Sequence, residues 1–313
     1  MVDRGVPLVS IGIPTYNRAN SYLKQALHSA VNQTYKNIEI IVSDNCSSDD
    51  TESVVREFHD PRIRYYRQNK NIGAVPNCNF CLEQSQGKYF LALYDDDLID
   101  DDFISTCMET VQPPGEPGVI FTGAREIDSE GNVLSSSHNT VSGYSTADFI
   151  VGWFDRKVPL YLCSTLFNTK RLKEFGGFHS KTNMYEDVVA FVQLAARYGR
   201  VDVIDVKASF RRHDSNMGKT VPYRAWSEDA RYLLDIMCEA APEQAAVIKQ
   251  KGLPYFSSKV YRHVARIKSP LERFAAYLTV YRTFDCSYSP WKFIYAQNVR
   301  RVMNFVKRQR ASV

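Results

Sequence analysis

The stretch Lys88-Tyr89-Phe90-Leu91-Ala92-Leu93-Tyr94-Asp95-Asp96-Asp97 decides how this chain is read. Its first part is a short apolar run of the kind a buried strand shows. That run leads straight into three adjacent carboxylates, which repel one another and cost stability unless cations neutralise them. Mg2+ or Mn2+ held by one or two of these acids, with a diphosphate supplying further oxygens, is the simplest account of such a triplet. A solvated acidic turn is the competing account, although Leu98 and Ile99 interrupt the acids before they resume at Asp100.

Upstream of the triplet, strand-like and helix-like segments alternate. Leu8 to Ile13 is an apolar run ended by Pro14, Ile38 to Val42 a second strand and Arg62 to Arg67 a third, so Lys88 to Leu93 is the fourth. Between them, Asn20 to Gln33 carries Leu23, Ala26, Leu27, Ala30 and Val31 at helical spacing, and Asp49 to Phe58 and Val75 to Gln84 follow as helices. This order predicts an α/β fold with a mostly parallel sheet flanked by helices, and ligands bound beyond the carboxyl ends of the strands. Downstream, Gly118 to Phe121 reads as a strand and Asp128-x-x-Gly131-Asn132 as a hairpin turn. Asp187 to Tyr198 reads as a helix and Val201 to Val206 as a closing strand, and after about residue 222 the pattern is helical, punctuated by Pro242, Pro254, Pro270 and Pro290. The expected organisation is one α/β domain over 1–220 and a basic helical C-terminal region over 221–313.

Two further loops follow strands of the same sheet. Pro14-Thr15-Tyr16-Asn17-Arg18 can set backbone N–H groups, a ring and a guanidinium beside a nucleotide. In Ser43-Asp44-Asn45-Cys46-Ser47-Ser48-Asp49-Asp50-Thr51, Asp44 stands at the strand end where it can accept a base N–H, and Ser47 or Ser48 reads as a helix cap. With the triplet, three polar loops converge at the carboxyl ends of three strands in one sheet.

At this point the sequence resembles the inverting glycosyltransferases of family two, with the GT-A nucleotide-diphospho-sugar fold. The matching stretches are Val9 to Arg18, Gln33-Thr34-Tyr35-Lys36-Asn37 into Ile38 to Val42, Asn71-Ile72-Gly73, and Gly87-Lys88-Tyr89-Phe90 leading to Asp95-Asp96-Asp97, so that the likeness covers about residues 8–215. The resemblance implies that Pro14, Thr15, Tyr16 and Arg18 line the nucleotide pocket, that Asp44 binds the base, that Asn79 lies by the donor cleft and that Asp95 is close to the donor ribose or sugar. Asp96 or Asp97 then resembles the metal-binding acid, and His213 an additional metal or diphosphate contact. Glu186-Asp187 resembles the family's Glu-Asp pair, with Asp187 the catalytic base and Glu186 second to it; from the residues alone, two acids in a helix's first turn are explained by the macrodipole. The chain departs from the family in having Tyr94-Asp95-Asp96-Asp97 where many relatives have Asp-x-Asp-Asp, and Ser43-Asp44-Asn45-Cys46-Ser47 where Asp-Asp-Gly-Ser is common.

What the resemblance implies is a metal-dependent single displacement with inversion, moving a sugar from a nucleotide-diphosphate donor, a UDP-sugar by preference, to a hydroxyl of a glycan or lipid-linked glycan. A nucleotidyltransferase is the first rival, but no Gly-rich phosphate loop followed by Lys or Arg favours it. A non-catalytic nucleotide-sugar-binding relative is the second. A nucleic-acid binder leaves the acid triplet unexplained and ranks last.

Composition sets the remaining bounds. The chain has 313 residues, 44% apolar and 24% charged, as a globular protein has. No run approaches the roughly 18 uncharged apolar residues that span a bilayer, and Met1 to Pro7 does not read as a secretory signal. Seven cysteines at irregular spacing argue against a disulfide framework and for a reducing cytoplasm, and Cys78-x-x-Cys81 lacks the second pair that structural zinc needs. The net charge of +4 is unevenly spread: residues 251–313 hold 13 Lys and Arg against Glu272 and Asp285, a net +11, which leaves −7 (4 minus 11) for the rest. From Pro290 onward, Trp291, Ile294, Tyr295, Val302, Phe305 and Val306 can form an apolar face beside Arg300, Arg301, Lys307, Arg308 and Arg310. Such a helix suits peripheral contact with anionic lipid at the inner face of the cell membrane. Packing on the body or within a homo-oligomer competes with that reading. Aromatic Trp153, Phe154 and Tyr161 read as a buried cluster rather than a sugar-stacking platform.

Overall fold

The computed structural model describes residues 6–111, 115–213 and 221–299. Its contacts divide the chain into two units, Met1–Asn216 and Met217–Val313.

The first unit is built on four short apolar segments that bury both faces. β1 (Val9–Thr15) and β2 (Ile38–Asp44) are buried at every position, β3 (Ile63–Arg67) is half-buried, and β4 (Tyr89–Ala92) is again wholly buried. Near-continuous apolar strands of this kind belong to a parallel sheet covered on both sides. The order is β3-β2-β1-β4, all parallel, with α1 (Leu23–Val31), α2 (Thr51–Arg56) and α3 (Ala74–Gln84) as crossovers.

Beyond β4 the sheet becomes mixed. β5 (Leu98–Ile99), β6 (Val119–Ile127), β7 (Val133–Ser137), β8 (Thr165–Asn168) and β9 (Arg200–Arg211) extend it through β8, β6, β9 and β5, with β7 paired to β6. Four of these pairings are antiparallel and only β6 with β9 is parallel. The parallel sheet expected from the sequence is therefore its first half. β7 is exposed throughout and β5 has two residues, so neither offers a periodic signal. β9 runs five residues past the expected Val206, because its distal part is held by pairing to β6 and β5 rather than by apolar alternation. The Asp128 turn is as expected: its carboxylate accepts the N–H groups of Glu130 and Asn132, both at 2.9 Å.

Helices α4 (Phe103–Glu109), α5 (Thr146–Phe154), α6 (Thr169–Glu174) and α7 (Glu186–Tyr198) complete this unit. α7 buries Val188, Val189, Ala190, Phe191, Val192 and Leu194. Tyr161 stacks on Phe210 with ring centroids 4.7 Å apart, and its hydroxyl donates to Glu126. Cys78 and Cys81 are buried on α3, and all seven cysteines are free.

The second unit comprises α8 (Tyr223–Ala240), α9 (Ala245–Val264), α10 (Pro270–Thr283) and α11, described over 290–299. Pro254 does not break α9 as its sequence suggests. An interior proline costs about 3 kcal/mol, and burial of Ile248, Phe256, Val260, Tyr261 and Val264 on that one helix offsets it. Within α11 the inward residue is Phe293, which packs on Tyr261, while Trp291 and Tyr295 face out. The basic residues from Arg300 to Arg310, with Val302, Phe305 and Val306, lie outside the described residues.

A Cβ at Gly12 would stand 2.6 Å from the Phe90 ring and 2.7 Å from Cys81 Cβ, so Gly12→Ala is expected to lose about 1–3 kcal/mol in denaturant melts; an unchanged midpoint would show that β1 and α3 have slack. His263 stacks on Trp226 at 4.8 Å, and burial, then the charges of Arg266, Lys259 and Arg262, push its pKa down to about 4. Unfolded His263 thus binds a proton that the native form refuses, so its stabilising contribution is whole above pH 6.5 and drains as pH falls towards 4. Wild type should lose more thermal stability than His263→Phe across that window, and parallel curves for the two proteins would exclude the effect.

Candidate functional site

Three loops at the carboxyl ends of β1 and β2 and before α3 are stitched together by side chains. Asn17, at φ 52°, receives a hydrogen bond from Ser48 N on its Oδ1 at 2.8 Å and donates its own N–H to Ser47 Oγ at 2.8 Å. Arg18 N–H reaches Thr51 Oγ1 at 3.2 Å, and Ala19 N–H reaches Asp49 at 3.0 Å. Asn45 extends the network, accepting from Ile72 N and donating to Asn71. Ser47 is thus a tie between loops rather than a helix cap, and α2 starts without a side-chain cap.

Asp44 lies opposite Thr15 in the β1–β2 register. It is 1% exposed, and its two oxygens accept from Ser47 N at 2.8 Å and from the Tyr65 hydroxyl at 2.7 Å, with Arg67 Nε at 3.6 Å. Burial, then the bond to Asp44, raises the Tyr65 pKa, which keeps its hydroxyl a donor. Tyr65 was not singled out from sequence, because a tyrosine in a half-buried strand carries no mark of such a bond. Tyr16 is exposed beside this pocket, and Pro14 is buried in β1.

The triplet divides its three carboxyls among three partners. Asp95, 7% exposed, stands 3.5 Å from Arg18 Nε. Burial, then the charge of Asp96, pushes its pKa up to about 7, against the pull of Thr15 and Arg18. The Thr15 hydroxyl, close enough to exert that pull, is buried and makes no hydrogen bond of good geometry with any described residue. Asp96 Oδ2 meets His213 Nε2 at 2.7 Å. Asp97 turns inward to accept the Arg211 N–H at 2.9 Å, and burial, then Asp96, holds its carboxyl well above the ordinary range.

Arg211 is 1% exposed. Its guanidinium donates to Asp96 O at 2.8 Å, Asp128 O at 3.2 Å and Gln25 Oε1 at 2.7 Å, and lies 4.3 Å from the centre of the Tyr22 ring. One side chain from β9 therefore ties together α1, the acid loop and the hairpin turn.

Asp96 and His213 fit a divalent ion only with help. A carboxylate and an imidazole make two ligands, and no group of three or more His, Cys, Asp or Glu among the described residues is placed to hold a metal. Mg2+ and its analogues commonly take one or two protein ligands and complete their sphere with substrate phosphates and water. The pair fits Mn2+ or Mg2+ in that manner, and Asp97 is turned away from it.

Glu186 and Asp187 open α7, where the helix dipole favours acids. Asp187 Oδ1 accepts from Val188 N at 2.7 Å. Both acids are near Tyr94: burial first, then Cys78, Glu186 and Asp187, raises that phenol well above its usual pKa. The start of α7 and the acid loop thus share one end of the sheet.

Asn79, which the resemblance sets by the donor cleft, bonds through its side chain to the backbone of Phe178. Its Nδ2 donates to Phe178 O and its Oδ1 accepts from Phe178 N, each at 2.8 Å. Gly177, at φ +81°, allows this approach, since a Cβ there would be 2.5 Å from Asn79 Oδ1. The amide is spent on clamping α3 to the segment that leads into α7.

The profile described as "Glycosyl transferase family 2" matches residues 10–172. A chondroitin synthase of Escherichia coli is 35% identical over 137 residues, 43% of this chain but only 20% of that protein. A Campylobacter jejuni protein named GalNAc(5)-diNAcBac-PP-undecaprenol beta-1,3-glucosyltransferase is 33% identical over 206 residues, 63% of this chain and 65% of its own length. The chain thus spans less than two thirds of these relatives. Among solved structures, Staphylococcus aureus TarS 1–349 in complex with UDP-GlcNAc aligns with a TM-score of 0.67 at 18% identity, over 88% of this chain and 80% of that one. A Pyrobaculum calidifontis mannosyltransferase in complex with GDP-Man and Mn2+ aligns at 0.53 and 17%, over 95% and 88%. These likenesses establish the GT-A fold.

The clamp geometry makes a prediction. Asn79→Ala removes two backbone hydrogen bonds, so stability should fall by about 1–3 kcal/mol while nucleotide affinity measured by calorimetry stays unchanged. Weakened nucleotide binding at unchanged stability would return Asn79 to the donor pocket.

Proposed function

This chain belongs to glycosyl transferase family 2, and from that membership we propose that it is a metal-dependent, inverting glycosyltransferase. The proposed donor is a nucleotide-diphosphate sugar, a UDP-sugar by preference, and the proposed acceptor a hydroxyl of a glycan or lipid-linked glycan. One observation carries the reading: Asp96 and His213, 117 residues apart in sequence, meet at 2.7 Å beyond the carboxyl end of β4.

The chain's residues divide the work. Tyr16 offers an exposed ring to the base, and Asp44 retains unused lone pairs on oxygens already held by Ser47 and Tyr65. Arg18, beside Asp95, would meet the donor's anionic or ribose oxygens, and the buried Thr15 hydroxyl makes no hydrogen bond of good geometry with a described residue. Asp96 and His213 would hold Mn2+ or Mg2+, which would supply positive charge against the diphosphate leaving group. Asp187 takes the proton from the acceptor hydroxyl, and Glu186 stands second for that role. The protein contributes position and charge, with no covalent intermediate. The donor assignment draws on TarS, solved with UDP-GlcNAc, and the acceptor assignment on the undecaprenol-linked substrate in the name of the Campylobacter relative. No helix among the described residues is long and apolar enough to cross a membrane. A lipid-linked acceptor suits peripheral attachment at the inner face of the cell membrane, and a homo-oligomer is compatible with the same arrangement.

Calorimetric titration with UDP tests the donor site. Affinity is expected to fall at least about tenfold when EDTA replaces Mn2+, and likewise in Asp96→Ala. Asp187→Asn should bind UDP normally yet lose about 10²–10⁴ in turnover. Binding that ignores both metal and Asp96 would refute the metal site, and full turnover by Asp187→Asn would refute the base.

A further inference from the structure

Among the described residues of the second unit, one apolar surface is exposed. Leu271 is 83% exposed, Tyr295 73%, Trp291 63% and Phe274 48%. Helical spacing puts Leu271 and Phe274 on one side of α10, and Trp291 and Tyr295 on one side of α11. The Phe274 and Trp291 ring centroids are 6.2 Å apart, which joins the two sides into one surface. A groove lined by Pro270, Phe274, Leu278, Pro290, Trp291 and Ile294 runs between them. Tyr277, which also lines the groove, and Phe293, on the side of α11 away from Trp291 and Tyr295, pack on Tyr261.

The charge around this surface identifies what covers it. Lys268 just before α10, Arg282 along its exposed side and Lys292 next to Trp291 are all exposed, and Arg273 lines the groove. Glu272 is the acid nearest in sequence, and by helical spacing it lies on the side of α10 away from the groove. Asp285, the other acid of this region, is ion-paired to Arg231 at 3.0 Å. Aromatic and aliphatic side chains at the tip with cations around them match the boundary of an anionic bilayer, where rings settle at headgroup depth and Lys and Arg meet phosphate. A protein partner of ordinary composition has no comparable demand for a rim of cations.

We propose that the α10–α11 corner, with Leu271, Phe274, Trp291 and Tyr295 at its tip, is a docking site for an anionic lipid surface. This deepens the membrane part of the proposed function and is independent of the metal and base assignments. A corner of four large side chains inserts shallowly and holds reversibly, in keeping with a protein that meets a lipid-linked substrate and leaves it.

The test is co-sedimentation of the full chain with vesicles of phosphatidylglycerol and phosphatidylcholine, against phosphatidylcholine alone. Binding to the anionic vesicles should be at least about tenfold stronger and should weaken as salt is raised. Trp291→Glu and Phe274→Glu, both at exposed positions and checked by thermal melts, should each cut it about tenfold or more. UDP affinity measured in solution on the same preparations should be unchanged, which separates failure of the docking site from failure of the donor site. Absence of binding to either vesicle would overturn the proposal, as would binding indifferent to both substitutions. A wild-type dimer in sedimentation that Trp291→Glu dissolves would assign the corner to a second copy of the chain instead.

Discussion

Three consecutive carboxyls at the end of β4 sit where water is largely excluded, and their mutual repulsion is the constraint that the surrounding structure answers. In a medium of low dielectric, adjacent like charges cannot all persist, so each acid must be protonated, paired or bonded to a donor. Asp95 is raised to about 7 and drawn towards Arg18, Asp96 meets His213, and Asp97 is buried against the Arg211 backbone. Only Asp96 keeps a partner that a metal can share.

Arg211 gives that division its geometry. Fully buried, it is bonded to the Asp96 carbonyl, the Asp128 turn and Gln25, so the acid loop cannot move without disturbing α1 and the hairpin. A buried guanidinium is costly to desolvate and is tolerated because carbonyls, an amide and the Tyr22 ring satisfy it. The same residue brings the following His213 to Asp96 by extending β9, two residues earlier, into the site. The ties made by Arg211 and the approach of His213 to Asp96 are therefore two results of one strand.

The loops after β1 and β2 are held in place by a different set of bonds. They are bonded to one another through Asn17, Ser47, Asn45 and Asp49, with Asn17 and Cys46 in left-handed conformations that shape the turns. Asn79 fixes the far side by clamping Phe178. The donor proposed for these loops would therefore meet a largely formed surface, which lowers the ordering cost of binding.

The sequence alone determined the parallel half of the sheet, its three crossover helices and the loops that carry Thr15, Asp44 and Asp95–Asp97, because apolar runs of 4–8 residues between helical periods have few other solutions. It also marked Asp187 and His213, though only through the likeness of ordered motifs. It could not give β5, β7 or the length of β9, where pairing partners, not periodicity, hold the strand. Nor could it tell which of Asp95, Asp96 and Asp97 faces outward, that Arg211 is buried, or that the Asn79 amide is spent on Phe178. Those outcomes depend on partners 99 to 117 residues away, whose approach is set by sheet register and helix packing. Local pattern names the residue types a site needs; only the assembled sheet decides which oxygen and which nitrogen meet.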